Sequence, residues 1–308
     1  MVGPAPTLPG ILGASAPKIN NADMKSYGWE MELSWRDRIE DFNYGVRFTL
    51  ADGQRKVLKY PNESGDIYSW YNNKLDGTIW GYTTVGIAQT QEEMNAHLAN
   101  NKPNCGSNWG AGDIMYADLN GDGEVTSGSK TLNDHGDLKI IGNSYARYNF
   151  GFTVDGSWRG LDFSIFLQGT MKRDYWLDGP YFWGASGDEW QSACFTEHLD
   201  YWTPEHTNAY YPKPYFGNIK KNQEVQSGYL QNAAYLRVKN VQVGYTLPKS
   251  WTKKAAMESV RFYVSGDNLL TWTGISSIFD PETLGGDWGP GKLYPLQRTL
   301  SVGVNVNF

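Results

Sequence analysis

The chain has 308 residues, a formal net charge of −6 and only 19% charged residues. This acidic balance argues against a nucleic-acid-binding domain, which normally carries a basic patch. The 13 Trp, 20 Tyr and 35 Gly favour β-structure, because aromatic side chains pack well on a pleated sheet. A mean hydropathy of −0.54 and the lack of an 18-residue apolar run exclude a transmembrane helix, but not membrane-spanning strands that are apolar on one face only.

Seven segments alternate apolar and polar residues at every second position, which predicts strands with one apolar face. The first is GWEMELSWR, with Trp29, Met31, Leu33 and Trp35 on the apolar face, and the second is FNYGVRFTL. The third and fourth are YNFGFTV and WRGLDFSIFLQG, and the alternation in the fourth changes phase near Gly160. The last three are YLRVKNVQVGYTL, VRFYVSGDN and SVGVNVNF.

Short and long connections alternate between these strands. The short ones are IED, then DGS, whose Asp-Gly pair is typical of a tight hairpin, and PKSWTKKAAMES. The long ones span residues 51–146, 170–233 and 270–295. Short turns at one end of a sheet and long loops at the other are typical of outer-membrane barrels. The prediction is therefore an all-β fold, an antiparallel transmembrane β-barrel segment whose long extracellular loops contain short helices.

Several stretches resemble the C-terminal region of SusC/RagA-family TonB-dependent outer-membrane transporters of Bacteroidota. They include GDLKIIGNSYARYNFGFTVDGSWRGLDFSIFLQGTMKRDYW, LDYWTPEHTNAYYPK and YPLQRTLSVGVNVNF, and with others they cover almost the whole chain. The resemblance implies that residues 1–308 supply about seven strands of a 22-stranded barrel. Seven is an odd number, and single-chain bacterial barrels close with an even one. The family's plug domain, N-terminal strands and signal peptide are not recognisable, so we expect a part of a larger barrel.

The resemblance also implies a function and partners. Such transporters import glycans or peptides through the outer membrane, work with a SusD-like surface lipoprotein, and receive energy from the TonB complex through the plug. Nucleic acid is not expected as a partner. The last strand places Val302, Val304, Val306 and Phe308 in one row, which would face outer-membrane lipid. An aromatic residue at the end of such a strand resembles the signal that outer-membrane assembly machinery recognises.

The stretch DLNGDGEV matches the first half of an EF-hand-type calcium loop, with a glycine at position 6. The residues that would supply oxygen ligands are Asp118, Asn120, Asp122 and, through its backbone carbonyl, Glu124. Position 12, normally a bidentate glutamate, is Ser129, so Asp134 or Asp137 would have to fold back as the missing ligand. The sequence therefore predicts a structural Ca²⁺ site at Asp118, Asn120, Asp122, Glu124 and Asp137. The alternative is a metal-free turn rich in Gly, Asp and Asn.

The first long connection also contains TQEEMNAHL. Thr90 and Glu93 have capping-box spacing and precede Met94 and Leu98, so the stretch predicts a short helix. The acidic residues of the first turn favour the positive end of the helix dipole. We interpret this helix as part of the scaffold of the loop.

The second long connection is rich in aromatic residues. Trp176, Tyr181, Trp183 and Trp190 are candidate ligand contacts, because aromatic rings with amides and carboxylates nearby can stack on sugar rings or peptide side chains. The alternative is structural, since a large loop needs a small core of its own and aromatic girdles belong at membrane interfaces.

Catalysis has little support in the sequence. The four histidines lack metal-ligand spacing, and no GxSxG motif is present, so we expect no enzyme activity. Cys105 and Cys194 fall in different long connections, where either a disulfide or two free thiols is consistent with the sequence. The alternative function is that of a soluble secreted carbohydrate-binding β-protein with a calcium-stabilised loop.

Overall fold

The computed structural model describes residues 3, 11, 13, 18–184, 194–215, 217, 220–285 and 289–308. The strands, in chain order, are β1 (Asp23–Ile39), β2 (Phe42–Lys59), β3 (Thr78–Gly81), β4 (Thr84–Ile87), β5 (Lys102–Pro103), β6 (Ile114–Tyr116), β7 (Glu124–Val125), β8 (Lys139–Asn143), β9 (Arg147–Trp158), β10 (Leu161–Lys172), β11 (Asp174–Tyr175), β12 (Gln231–Thr246), β13 (Ser259–Gly274) and β14 (Thr299–Asn307). The α-helices are α1 (Gln91–Leu98), α2 (Pro180–Trp183), α3 (Lys220–Gln223) and α4 (Lys249–Thr252), and 3₁₀ turns cover Thr196–Leu199 and Lys253–Ala255. Within the described ranges, no helix has the length and apolar character needed to cross a membrane.

The seven predicted segments form the seven long strands of one antiparallel sheet. Their order is β1-β2-β9-β10-β12-β13-β14, and short β11 pairs with β12 beside this path. Among the described residues β1 and β14 each pair with a single neighbour, so the sheet is open at both edges. The predicted all-β antiparallel class is confirmed.

The register places the apolar residues of all these strands on one face, because residues directly opposite each other in a sheet share a face. One row runs across the sheet from Trp35 to Val46, Val154, Ile165 and Val241. The apolar face is exposed: Trp35 is 64% and Val302 is 83% accessible. The other face carries polar residues such as Gln242, which lies opposite Ser164.

The hairpin between β9 and β10 differs from the prediction. The Asp-Gly pair of DGS, at Asp155 and Gly156, lies inside β9 and pairs with β10. The turn is made by Arg159 and Gly160, with φ of 47° and 91°, and two positive φ angles match the twist of adjacent strands. The phase change noticed near Gly160 marks this turn. Asp155 instead reaches Arg36 of β1, with its Oδ1 3.4 Å from the guanidinium.

All three long connections begin later than predicted, because the strands before them extend further. β2 continues to Lys59, β10 to Lys172 and β13 to Gly274. The extensions of β2 and β10 lack a clear apolar alternation. In β13, Leu270 and Trp272 do alternate with threonines, but a register irregularity opposite Val238–Asn240 separates them from the earlier part of the strand. The connections cover residues 60–146, 173–230 and 275–298, all at the end of the sheet opposite the short turns. We call the described residues of these three connections the cap.

Candidate functional site in the cap

The cap is one folded unit that all three connections build together. Its hydrophobic core takes residues from each of them and from the start of β12. The buried members are Ile67, Tyr82, Ile114, Tyr116, Val125, Leu138, Leu177, Phe182, Trp183, Tyr211, Tyr229, Ala233, Ile275, Phe279 and Leu284. Aromatic rings pack against each other in this core. The ring centroids of Trp183 and Tyr229 lie 4.8 Å apart, and those of Phe182 and Trp183 lie 5.1 Å apart. The connections are therefore not independent loops.

The predicted helix in the first connection is confirmed as α1. The Oγ1 of Thr90 accepts a hydrogen bond from the backbone N–H of Glu93 at 3.1 Å, which satisfies a free donor of the first turn. In a capping box the Glu93 carboxylate would accept from the N–H of the N-cap residue, Thr90. Here it accepts instead from the N–H of the preceding residue, Gln89, at 2.6 Å. Met94 is fully buried against Ala88 and Met115, so the helix anchors the base of the first connection.

A buried polar cluster around Asp113 joins the first connection to the second. The Nδ2 of Asn222 donates to Asp113 Oδ1 at 2.8 Å, and the N–H of Gly110 and the Tyr215 hydroxyl donate to Oδ2 at 2.8 and 3.3 Å. Lys221 completes the cluster with an ion pair to Asp113. Burial and the nearby Asp113 carboxylate raise the pKa of Tyr215, so its hydroxyl stays protonated and can donate.

Two cavities lie along the segment YPKPY, residues 211–215. The smaller has a volume of about 250 Å³ and includes Trp183, His198 and Gln223 in its lining. The larger has about 670 Å³ and includes Asn108, Trp109 and Trp202. The two share four lining residues, and we name the pair of cavities the groove. The shared residues are Tyr201, Lys213, Pro214 and Tyr215.

Backbone hydrogen bonds fix the walls of the groove. The N–H of Trp202 donates to Tyr211 O at 3.0 Å, and the N–H of Tyr211 donates to Asp200 O at 2.9 Å. The N–H of Lys213 donates to Gly112 O at 2.8 Å. Gly112 has a φ of +87°, and a Cβ there would collide with the Trp202 ring, so only glycine fits. These residues carry no strong sequence motif beyond the Pro-Lys-Pro run, and sequence reasoning missed the groove.

The four aromatic candidates occupy different surroundings. Trp183 is only 8% accessible and belongs to the core, although it also lines the smaller cavity. Trp176 and Tyr181 are partly buried against the same core, and the Tyr181 ring stacks on Phe195 at 5.8 Å. Trp190 lies outside the described residues. A ligand contact at these positions stays a prediction.

The carboxylates of the predicted calcium loop bind backbone N–H groups. Asp118 accepts from Gly121 at 2.6 Å and from Gly123 at 2.8 Å, which lowers the pKa of Asp118, mainly through the Gly123 bond. Asp137 does fold back onto the turn. It is fully buried and accepts from the N–H groups of Leu119 at 2.6 Å and Thr126 at 2.7 Å.

The remaining two side chains of the loop bond to each other. The Nδ2 of Asn120 donates to Asp122 Oδ2 at 2.9 Å, and Asp122 Oδ1 accepts the N–H of Glu124. No group of three or more His, Cys, Asp or Glu side chains converges in metal-binding geometry in the part of the chain that the structure describes. Carboxylate and amide oxygens are the kind of ligand that calcium prefers. In this structure the carboxylate oxygens accept hydrogen bonds from backbone N–H groups, and calcium binding stays a prediction.

Both cysteines are free thiols in the structure. Cys105 packs against the cap core. Burial raises the pKa of its thiol to about 12, and the nearby Glu224 carboxylate makes a smaller contribution in the same direction. Cys194 is exposed and lines the smaller cavity. Of the two possibilities that the sequence left open, the structure has the unpaired one.

The row proposed as an assembly signal lies on the outermost strand. Val302, Val304 and Val306 belong to β14, where they oppose Val264, Phe262 and Val260 of β13, and Phe308 follows directly after the strand. All four are exposed on the apolar side of the sheet or beyond its end. Their role in assembly stays a prediction.

Comparison with known proteins supports the resemblance drawn from the sequence. No family model matches the chain. The chain is 26% identical to TonB-dependent receptor P3 of Formosa agariphila, over 98% of this chain and 30% of that protein. It is 22% identical to TonB-dependent receptor SusC of Bacteroides thetaiotaomicron, over 94% of this chain and 27% of that protein. The chain is related to TonB-dependent receptors.

The fold comparison agrees with the sequence comparison. The structure of the RagAB peptide transporter superposes with a TM-score of 0.67 at 21% identity, over 98% of this chain and 31% of that chain. The chain thus spans about 30% of the length of the TonB-dependent receptors that it matches. These homologues are receptors and transporters rather than enzymes.

Proposed function

We propose that the sheet is an arc of an outer-membrane β-barrel in a TonB-dependent importer of glycans or peptides, and that the cap faces the outside. The observation that carries this proposal is the continuous, exposed apolar face across seven strands. A soluble protein rarely exposes apolar patches of this extent, because water contact with them is unfavourable. A barrel wall needs one, because its outer face contacts lipid tails.

The dimensions of the apolar face fit a bilayer. On β1 this row runs from Trp29 to Ile39 and is apolar except at Asp37. It advances ten residues, about 33 Å at about 3.3 Å per residue. A strand tilted by about 40° crosses about 25 Å of membrane over this length, which matches the apolar band of bacterial barrels. The row nearest the short turns contains aromatic residues on four strands, as expected at a membrane interface. They are Phe42, Trp158, Tyr245 and Phe262.

The partners follow from the same proposal. The open edges at β1 and β14 would pair with further strands, because unpaired edges expose backbone hydrogen-bonding groups. A SusD-like lipoprotein would cover the cap, the TonB complex would act through a plug, and the substrate would be a glycan or a peptide. SusC and RagAB relatives support this assembly.

Cell fractionation of the full-length protein tests the proposal. We expect it in the outer membrane, released only by detergent. Recovery in the soluble periplasm or medium without detergent would contradict the importer and favour a soluble carbohydrate-binding protein. The exposed apolar face is the specific observation against that second function.

A further inference from the structure

We propose that the outer face of the sheet binds the anionic phosphate headgroup of a membrane lipid, at a site formed by Lys25 and Lys56. The proposal rests on the proposed function, because it requires the apolar face of the sheet to lie in a membrane with the cap outside. The ligand would be a lipid of the leaflet next to the cap and not the imported substrate.

The two lysines face each other across a strand pair. Lys25 of β1 lies directly opposite Lys56 of β2. The register places both on the same face as Tyr27 and Trp29, which is the apolar face of the sheet. Like charges that lie directly opposite each other destabilise a strand pair. An anion bound between the two ammonium groups would remove this repulsion.

Neither lysine takes part in an ion pair with a carboxylate of the described residues. Arg55, one position before Lys56, points to the other face, where its Nε lies 3.2 Å from Asp76 Oδ2. The carboxylates nearest the two lysines each face another cation. They are Asp52 beside Arg147, Asp76 beside Arg55, and Asp23 opposite Lys59. The charges of Lys25 and Lys56 are therefore left for a ligand from outside the chain.

The height of the two lysines matches the headgroup layer of a membrane. Lys25 lies four residues beyond Trp29, where the apolar row of β1 ends. Four residues are about 13 Å along a strand, and about 10 Å along the membrane normal at a tilt of about 40°. Tyr27 lies between them, and its hydroxyl donates to Gln54 Oε1 at 2.9 Å. An aromatic residue at this level is typical of the girdle of bacterial barrels.

The surroundings of the lysines suit a lipid better than a free anion. The Nζ of Lys25 lies 5.6 Å from the centre of the Tyr27 ring, within the range of a cation–π contact that restrains the side chain. The half-buried Leu75 continues the row, since it bridges to Lys56. Lysine stems also cover apolar surface while their charged ends stay in a polar layer. An acyl chain can therefore pack beside the bound phosphate.

The charge of the whole chain does not explain such binding. The formal net charge is −6, so the overall field repels a phosphate. Lysine binds phosphate as a point charge, and each lysine near a membrane surface strengthens binding to anionic lipid by about fivefold. The affinity for the phosphate would therefore depend on these two residues.

The test is a lipid titration of the full-length protein in detergent, followed by native mass spectrometry. The probe is phosphatidic acid, and phosphatidylcholine with the same acyl chains is the reference without net charge. We expect phosphatidic acid to bind at least about tenfold more tightly. The double variant Lys25→Gln/Lys56→Gln should lose this preference. Lys102→Gln/Lys139→Gln, which removes two exposed lysines of the cap, is the matched control and should bind like the wild type.

Three results would overturn the lipid site: no preference for phosphatidic acid, equal affinities of the double variant and its control, or displacement of the lipid by excess inorganic phosphate. The last result would indicate a site for the free anion. Lys25→Arg/Lys56→Arg keeps both charges and should keep the preference, so its loss in that variant would also contradict the proposal.

Fractionation separates the lipid site from the importer. An outer-membrane protein without the preference for phosphatidic acid would refute the lipid site alone. Recovery in the soluble fraction would refute the importer, and the titration of Lys25→Gln/Lys56→Gln would still report whether the two lysines bind a lipid phosphate.

Discussion

The Nζ of Lys221 lies 2.7 Å from the Oδ2 of Asp113, and both side chains are fully buried. The pair joins α3 in the second connection to the segment before β6 in the first. A buried charge without its partner is strongly unfavourable, so the pair makes the two connections depend on each other.

Loss of this pair should unfold the cap more easily. We expect Lys221→Met to lower the free energy of unfolding of the cap by about 3–5 kcal/mol, because Asp113 would stay buried without its counter-ion. Thermal unfolding followed by near-ultraviolet circular dichroism would measure the loss. Lys220→Met, a change at the exposed neighbouring lysine, is the control, and equal midpoints for the two variants would contradict the prediction.

A charge on the apolar face should impair membrane assembly. Val241 lies in the middle row of that face, and its neighbour Gln242 points to the opposite face. We expect Val241→Arg to cost about 2–4 kcal/mol at the bilayer midplane. Gln242→Arg should be tolerated far better. The measurement is the amount of full-length protein in the outer membrane, and similar losses for both variants would speak against a lipid-facing row.

The two thiols should differ in reactivity. The pKa of Cys105 is raised to about 12, so at pH 8 its thiol remains protonated, and the thiolate is the reactive form. Cys194 is exposed. We expect a maleimide to label Cys194 within minutes and to leave Cys105 unmodified until the cap unfolds, as mass spectrometry of digested protein would show. Rapid labelling of a Cys194→Ser variant at pH 8 would disprove the protected, partly buried placement of Cys105.

Calcium should stabilise the cap if the loop at Asp118 binds it. We expect calcium to raise the unfolding temperature of the cap, and Asp122→Ala to remove the effect, since this carboxylate occupies a ligand position. Glu92→Ala, a change at an exposed acidic residue in the same connection, should leave the response intact. Isothermal titration gives the binding heat directly, and the absence of both heat and stabilisation would refute the site.

The long strands were predictable because each carries its information locally. Alternation at every second residue identifies a strand with one apolar face, and all seven segments with this pattern became strands. The β9–β10 turn was misplaced because two candidates, Asp155-Gly156 and Arg159-Gly160, lie only a few residues apart. The pairing of β9 with β2 and β10 places Asp155-Gly156 inside the strand and leaves the turn to Arg159-Gly160. The pairing with β2 involves residues far apart in the sequence, so the local pattern could not show it.

The cap was hardly predictable, for a related physical reason. Its core joins residues from three connections, and its short strands pair across long stretches of chain. Trp183 illustrates the difficulty, since the same aromatic residue suits a core and a ligand contact. The groove depends on Asp113 and Lys221, which are 108 positions apart in the chain. No periodic pattern connects such residues.

The shared core of the cap also has a consequence for the order of folding. It includes Ile67 near its beginning and Leu284 near its end, so it cannot be completed until the chain through β13 is available. Contacts between residues so distant in sequence form slowly, because the ordering entropy of the intervening chain opposes them. The cap should therefore consolidate last, after the hairpins of neighbouring strands, and its aromatic residues would need protection from aggregation until then.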